Sequence, residues 1–342
     1  MNIPNWKFLV VASVLAICAM GSVQAAPLKV CVTTPDLASI VREVGGEEVR
    51  ITVFTKGSED AHFVEARPSF VKELSGADLY VQVGLDLEAG WAPVVLRGAR
   101  NARVQPGGAG YLDASTAIEP RDMPAGPVDR SHGDVHPLGN PHYLLDPVNG
   151  LKVARFVRDK LTALRPERAA YFEQRYRDFR ARLAAAMVGE ALAAKYDFEK
   201  LMLLADHGRL DTFLQEQGDK SLLGGWLGRM HPLRGAATVA DHNMWSYFAA
   251  RFGLEIVGYM EPRPGLTPTT RHLTELVSAI RQRGVKLVIA GPYFPERHSA
   301  FLAEHTQARS VVLAHQVQAI EGAEDYLSMF DRNIAALERA SR

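Results

Sequence analysis

Runs of residues that favour β-strands alternate with runs that favour helices in two separate stretches of this 342-residue chain. The strand-like runs are LKVCVTT (28–34), VRITVFT (49–55) and LYVQVG (79–84) in the first stretch, and AATVADH (236–242), LEIVGYM (254–260), VKLVIAG (285–291) and SVVLAH (310–315) in the second. Strands that alternate with helices form parallel sheets covered by helices. We therefore predict an α/β protein of two lobes, each a parallel-type sheet flanked by helices.

A long segment with helical periodicity lies between the two stretches. In residues 148–188 apolar side chains recur every three or four positions, with arginine and glutamate between them. Pro166 is expected to interrupt or kink this helix, because proline removes a backbone hydrogen-bond donor. We predict one long backbone helix that joins an N-terminal lobe at 26–147 to a C-terminal lobe at 189–342.

The first 25 residues have the pattern of a secretory signal peptide. One positive charge, Lys7, precedes the apolar run FLVVASVLAICAMGS, and small residues allow cleavage after Ala25. A membrane anchor is the alternative, but the run is shorter than the ~20 residues that a spanning helix needs. A lipid anchor on Cys18 is a second alternative, with Ile17 where a small residue is expected. The mature chain should be exported, with Cys31 as its one cysteine.

The charge balance argues against a nucleic-acid partner. Lys and Arg together number 39, as do Asp and Glu, so the formal net charge is zero. Binding to nucleic acid needs a concentrated excess of positive charge. Hydrophobic residues make up 47% of the chain, which is enough for a large buried core.

Four of the eleven histidines fall on loops that follow strands or precede helices: His62, His142, His242 and His315. Loops at the carboxyl ends of parallel strands converge on the ligand crevice, so these four could meet between the lobes. Imidazole suits Zn²⁺, and four such ligands suit a tetrahedral ion. Nearby carboxylates could orient the rings; they are Asp60, Glu65, Asp146 and Asp241.

An ordinary solvated surface position remains the alternative for any single loop histidine. His207 is a rival ligand, because its context LLADH echoes the VADH that contains His242. His132 and His136 lie in SHGDVHP, within a Pro/Gly-rich loop at 119–141. They either collect metal with low affinity or belong to a solvated loop.

Three segments carry a resemblance to a known family. They are GSEDAHFVEARPSFVKELSGADLYVQVGLDLE (57–88), NPHYLLDPVNGLKVARFVRDKL (140–161) and LRGAATVADHNMWSYFAARFGLEIVGYMEPRPGLTPTTRHLTELV (233–277). In this order they resemble the three histidine-bearing regions of the zinc/manganese-type periplasmic solute-binding proteins of bacterial ABC uptake transporters. The resemblance covers nearly all of the mature chain. It implies two α/β lobes joined by one long helix, with metal in the cleft.

The resemblance also implies a set of metal ligands. His62, His142 and His242 match the three histidine ligands of the family. The fourth ligand there is usually acidic, but this chain has Gly291 where many relatives place a glutamate, and His315 near where others place an aspartate. We predict that His315 replaces it, with water or Glu65 as alternatives. Residues at about 190–225 resemble a helical insertion relative to shorter relatives.

The function implied is periplasmic capture of a divalent transition metal and delivery to an ABC permease in the inner membrane, by a monomer. Zn²⁺ is favoured because nitrogen ligands suit it and because SHGDVHP resembles a short histidine loop of zinc-specific relatives; Mn²⁺ or Fe²⁺ is the alternative. A secreted metal-dependent hydrolase is a rival, although the chain has no HExxH, GxSxG or CxxC motif. A metal-stabilised surface adhesin is another. We expect no enzyme activity.

Overall fold

The structure is a computed structural model that describes residues 26–126, 136–263 and 265–342. The predicted signal peptide at 1–25 lies outside the described residues, as do Cys18 and His132. None of the helices in the described ranges combines the length and the apolar character needed to cross a membrane.

The N-terminal lobe contains a four-stranded parallel sheet. Its strands are β1 (Leu28–Val32), β2 (Val49–Val53), β3 (Leu79–Gln82) and β4 (Tyr111–Asp113), in the spatial order β2-β1-β3-β4. The helices are α1 (Pro35–Gly45), α2 (Pro68–Ser75) and α3 (Ala92–Ala99), and each has a proline in its first turn, where no hydrogen bond is lost. Helix α3 and strand β4 were not among the elements predicted from sequence.

The C-terminal lobe repeats this arrangement. Its strands are β5 (Ala237–Ala240), β6 (Glu255–Tyr259), β7 (Leu287–Ala290) and β8 (Arg309–Val312), all parallel, in the order β6-β5-β7-β8. The last four helices of the chain accompany them; we number these α10 (Ser246–Phe252), α11 (Thr270–Arg283), α12 (Glu296–Glu304) and α13 (Tyr326–Ser341). The predicted α/β fold with two parallel sheets is confirmed.

The segment between the lobes is two helices, which corrects the expectation of one long backbone helix at 148–188. Helix α4 (Pro147–Leu164) ends before a 3₁₀ turn at Pro166–Arg168, and α5 (Ala169–Val188) follows. Arg158 donates to Glu173 over 2.9 Å. In one straight helix these residues would be about 22 Å apart along the axis. The helices therefore lie side by side, and Pro166 marks the break.

Short helices occupy the segment for which a helical insertion was expected. They are α6 (Glu190–Lys195), α7 (Phe198–Asp206), α8 (Leu210–Glu216) and α9 (Gly225–Met230). Within this segment Asp219 accepts hydrogen bonds from Lys195 and from the Tyr196 hydroxyl. These contacts hold the loop after α8 against the end of α6.

Both lobes contribute to one continuous apolar core. Val32 and Ile289, from the middle of the two sheets, belong to the same cluster of buried residues, together with Phe330 of the last helix. The hydroxyl of Tyr326, also in α13, donates to the carbonyl of Leu144 over 2.6 Å. The end of the chain therefore packs against the N-terminal lobe, and the carboxyl ends of the strands from both sheets border the space between the lobes.

Candidate metal centre

Three of the four predicted histidines meet between the lobes. His62 lies in a 3₁₀ turn after β2, His142 immediately precedes the 3₁₀ turn that leads into α4, and His242 follows β5 by two residues. The ring centroids of His62 and His142 are 5.2 Å apart, those of His142 and His242 are 5.8 Å apart, and those of His62 and His242 are 6.3 Å apart. Residues separated by as many as 180 positions in sequence are thus neighbours.

These ring-centre distances are close to those of imidazoles that bind one ion. Two imidazoles bound to a tetrahedral ion through nitrogens ~2.0–2.1 Å away have ring centres about 5 Å apart. In the ranges 26–126, 136–263 and 265–342, however, no three histidine, cysteine, aspartate or glutamate side chains are already arranged to hold an ion together. Ligation therefore requires the rings to rotate or shift from these positions.

Asp60 orients the ring of His62. Its Oδ1 accepts hydrogen bonds from both Nδ1 (2.6 Å) and the backbone N–H (3.0 Å) of His62. Burial alone would raise the pKa of Asp60, but these hydrogen bonds and the positive charge of His62 lower it. A carboxylate on Nδ1 leaves Nε2 of the ring as the nitrogen available to an ion. Asp60 was among the orienting carboxylates predicted from sequence.

Glu261 orients the ring of His242, as Asp60 orients that of His62. Its Oε2 accepts from Nδ1 of His242 over 2.9 Å and from the backbone N–H of Gly265 over 2.8 Å. Burial lowers the pKa of His242, but the hydrogen bond and charge of Glu261 outweigh it and raise the pKa. The sequence analysis missed Glu261, although it lies two residues after β6, where side chains reach the crevice. Asp241 instead accepts the backbone N–H of His242.

The ring of His142 is partly buried and neutral. Its Nε2 has no hydrogen-bond partner among the described residues. Burial, followed by the positive charges of the neighbouring histidines, lowers the pKa of His142 well below its ordinary value. The neutral imidazole is the form that binds a metal ion. A buried polar atom without a partner costs free energy, and an ion would remove that cost.

His315 lies near the cluster, on the side of the smaller cavity that it shares with His142. Neither ring nitrogen has a partner within the described chain, and the ring packs edge-on against Tyr293 with centroids 4.7 Å apart. His315 and His142 line the same small cavity. Burial lowers the pKa of His315 to about 4, so this ring is also neutral.

His136 is the histidine that sequence reasoning undervalued. Its Nε2 is 3.0 Å from Nε2 of His62, and the two ring centroids are 5.0 Å apart. Burial, with the charge of His62, lowers the pKa of His136 to about 4. Its sequence signal was its place in SHGDVHP, for which low-affinity metal collection and a solvated loop were both left open.

The remaining candidates are elsewhere. Glu65 is exposed. His207 is exposed at the end of α7, where its ring bonds to the carbonyl of Leu203. Asp146 pairs with the guanidinium of Arg251 rather than with a histidine.

Two cavities adjoin the histidine cluster. The outer cavity, of about 200 Å³, is bordered by His62, His242 and Glu261. The inner cavity, of about 40 Å³, is bordered by His142 and His315. Asp60 and Tyr293 border both. The three-histidine cluster therefore lies between a larger outer space and a smaller inner one.

Residues 30–218 and 228–340 match the model of a protein family described as the periplasmic zinc-uptake complex component A, ZnuA. The chain belongs to the ZnuA family. The match includes both lobes and all of the histidines named above, and the resemblance inferred from the three sequence segments is confirmed.

Individual relatives include zinc and manganese proteins. The chain is 22% identical over 330 residues to the zinc-binding lipoprotein AdcA of Streptococcus pneumoniae, which is 92% of this chain and 56% of AdcA. It is 26% identical over 172 residues to the manganese ABC transporter substrate-binding lipoprotein PsaA of Streptococcus mitis, which is 48% of this chain and 52% of PsaA. These matches span about half the length of those two relatives. The manganese-binding lipoprotein MntA of Halalkalibacterium halodurans is 22% identical, with coverage of 90% and 86%.

Solved structures of related proteins share the fold. A crystal structure of ZnuA superposes with a TM-score of 0.67 at 20% identity, over 92% of this chain and all of that one. The solute-binding protein FpvC of Pseudomonas aeruginosa in complex with Mn²⁺ gives 0.68 at 17% identity, over 92% of this chain and 98% of that one. The two-lobed architecture is therefore shared with both of these solved structures.

Proposed function

We propose that this protein captures a divalent transition metal, in the first place Zn²⁺, between its lobes in the periplasm and delivers it to an ABC permease in the inner membrane. The observation that carries the proposal is the meeting of three imidazoles, from loops of both lobes, with ring centres 5.2–6.3 Å apart. Membership of the ZnuA family and the names of AdcA, PsaA and MntA support it.

The proposed ligands are His62, His142 and His242, with a fourth from a further histidine. Of the two candidates, His136 is better placed, because its Nε2 already faces that of His62. His315, predicted from sequence, is the second, since its unpartnered nitrogens border the cavity of His142. In either case the ion exchanges its waters for neutral imidazoles.

The donor set favours zinc over manganese. Imidazole nitrogen is a good ligand for Zn²⁺, while Mn²⁺ prefers carboxylate and other oxygen ligands. The two carboxylates next to the cluster, Asp60 and Glu261, are each engaged with a histidine Nδ1. They therefore orient ligands instead of competing for the ion.

We propose that the site binds its ion without chemistry. A tetrahedral ion with four protein ligands has no open position for a substrate, whereas a hydrolytic site keeps one. The shared core and the contacts of the last helix with the N-terminal lobe support a modest adjustment of loops on binding rather than a wide closure.

Metal titration of the purified, metal-free protein tests the proposal. Zinc should raise the melting temperature, because binding to the folded state alone adds about 2.7 kcal/mol at a concentration ~100 times the Kd. A chelator competition would give the Kd for Zn²⁺ and Mn²⁺ side by side. The absence of any shift at saturating zinc would contradict the proposal, and tighter binding of Mn²⁺ would contradict the choice of metal.

Histidine variants test the ligand assignment. We expect His242→Ala to weaken zinc binding by more than ~10-fold, because it removes one of the ligands. His207→Ala is the matched control, since that ring is exposed and bonded to its own helix. Equal effects of the two would show that the cluster is not the site. A comparison of His136→Ala with His315→Ala identifies the fourth ligand.

A further inference from the structure

One buried histidine next to the site has no assigned role. His298 lies in the first half of α12, and the residue as a whole has an exposed fraction of 7%. Its Nε2 has no hydrogen-bond partner among the described residues, and its ring lies 5.6 Å from that of Phe294. A buried nitrogen without a partner is unfavourable. An apolar side chain of similar size would avoid this cost, so packing alone does not account for a histidine here.

His298 borders the outer cavity. The same cavity is bordered by His62, His242 and their neighbour Glu261. Its volume of about 200 Å³ is room for several water molecules, each with a share of ~30 Å³ in the liquid. The inner cavity, of about 40 Å³, has no such room and does not include His298. An ion arriving from solvent with part of its water shell therefore has more room in the outer cavity than in the inner one.

We propose that His298 is an entry ligand, which binds the incoming divalent transition ion in the outer cavity before His62, His142 and His242 complete its coordination. This inference rests on the proposed function. The imidazole of His298 replaces one water of the ion and holds the ion beside the rings of His62 and His242. The ion then exchanges its remaining waters for those rings and leaves His298.

An entry ligand has a distinctive kinetic effect. One imidazole binds a divalent ion weakly, so His298 contributes little to the affinity of the final complex. Because it stabilises the partly dehydrated ion in the transition state for water exchange but not the final complex, it increases the rate of ion entry and the rate of ion release by the same factor. A permanent ligand would instead increase affinity mainly by slowing release.

Two variants at this position keep the test independent of folding. His298→Phe removes both nitrogens at similar volume, and His298→Gln keeps a polar side chain that is a poor ligand for zinc. His305→Phe is the matched control, since His305 directly follows the same helix, is exposed, bonds to the carbonyl of Phe301 and borders neither cavity. The melting temperature of each metal-free variant reports whether it is folded.

The measurement uses Zn²⁺ and a fluorescent chelator. Competition gives the Kd, stopped-flow transfer of zinc to excess chelator gives the rate of release, and their ratio gives the rate of entry. We expect both rates to fall about 5-fold or more in His298→Phe and His298→Gln, with the Kd within about 2-fold of the wild type. His305→Phe should leave all three unchanged.

Other results would overturn the inference. Unchanged rates in folded His298→Phe and His298→Gln would show that the ion does not use this residue. A Kd weakened about 10-fold with an unchanged rate of entry would make His298 a permanent ligand. If the wild-type protein binds no zinc, the proposed function fails first and this inference fails with it.

Discussion

The side chain of Gln316 joins the two lobes directly beside the candidate metal centre. It is buried, and its Nε2 lies within hydrogen-bond distance of three carbonyls of the N-terminal lobe: those of Lys56 (3.1 Å), Gly57 (3.1 Å) and Glu59 (2.8 Å). This loop leads into Asp60 and His62. Gln316→Met, which keeps the length of the side chain but removes the donor, should therefore destabilise the protein and weaken zinc binding.

The expected magnitude follows from the two hydrogens of Nε2. Two hydrogens shared among three carbonyls make at most two full hydrogen bonds, each with a net contribution of about 1 kcal/mol. The buried carbonyls would also lose their partner, at a cost of ~1–3 kcal/mol. Because water can reach part of the loop, we expect the free energy of unfolding to fall by about 2–3 kcal/mol.

Urea unfolding of the metal-free protein measures this change. The urea midpoint should shift while the dependence of the unfolding free energy on urea concentration stays constant. Gln174→Met is the matched control, because the exposed side chain of Gln174 bonds to Asp178, one turn further along α5. It should change stability by less than ~0.5 kcal/mol. If the two variants were equally stable, the contact between Gln316 and the loop would not hold the lobes together, and the reasoning would be refuted.

Three further predictions concern other contacts. Gly150→Ala should cost about 1–3 kcal/mol of stability, because the added Cβ would lie 2.3 Å from the buried ring of Tyr326. Glu261→Ala should weaken zinc binding ~10–100-fold, since it frees the ring of His242 to turn. Burial raises the pKa of Asp36 from 3.8 to about 7. The folded state therefore holds this proton more tightly, and the contribution of Asp36 to stability falls as pH rises from about 4 through 7. Asp36→Asn should accordingly gain stability relative to the wild type at about pH 8 and none near pH 4.

Each of these has its own control. Gly126→Ala, at an exposed glycine with open space around it, should leave the urea midpoint unchanged; an equal loss there would contradict the steric argument. Glu275→Ala, at an exposed glutamate paired with Arg271, should leave the zinc Kd unchanged. For Asp36→Asn, a stability difference that stays constant between pH 4 and 8 would show that Asp36 does not titrate in this range.

Local sequence patterns predicted much of the fold. The strand-like runs at 28–34 and 285–291 contain β1 and β7, because central strands of a parallel sheet are apolar on both faces. The secondary structure of residues 84–118 could not be predicted in this way, since β4 has only three residues and pairs at the edge of its sheet. Likewise, Pro166 marked a break in the helical pattern, but only the contact of Arg158 with Glu173 shows that the chain turns back there.

The sequence by itself determined the two α/β lobes and the family, and it singled out His62, His142, His242 and the carboxylate Asp60. The lobes follow from the alternation of strand-like and helix-like runs, and the family and its histidines follow from the resemblance of three segments and from the positions of these histidines on loops. Only the tertiary structure decided that Glu261 orients His242, that His136 faces His62, and that His298 borders the outer cavity. Such contacts join residues 19 to 74 positions apart or bring separate loops to one cavity. The packing of the two sheets sets them, and no local pattern records that packing.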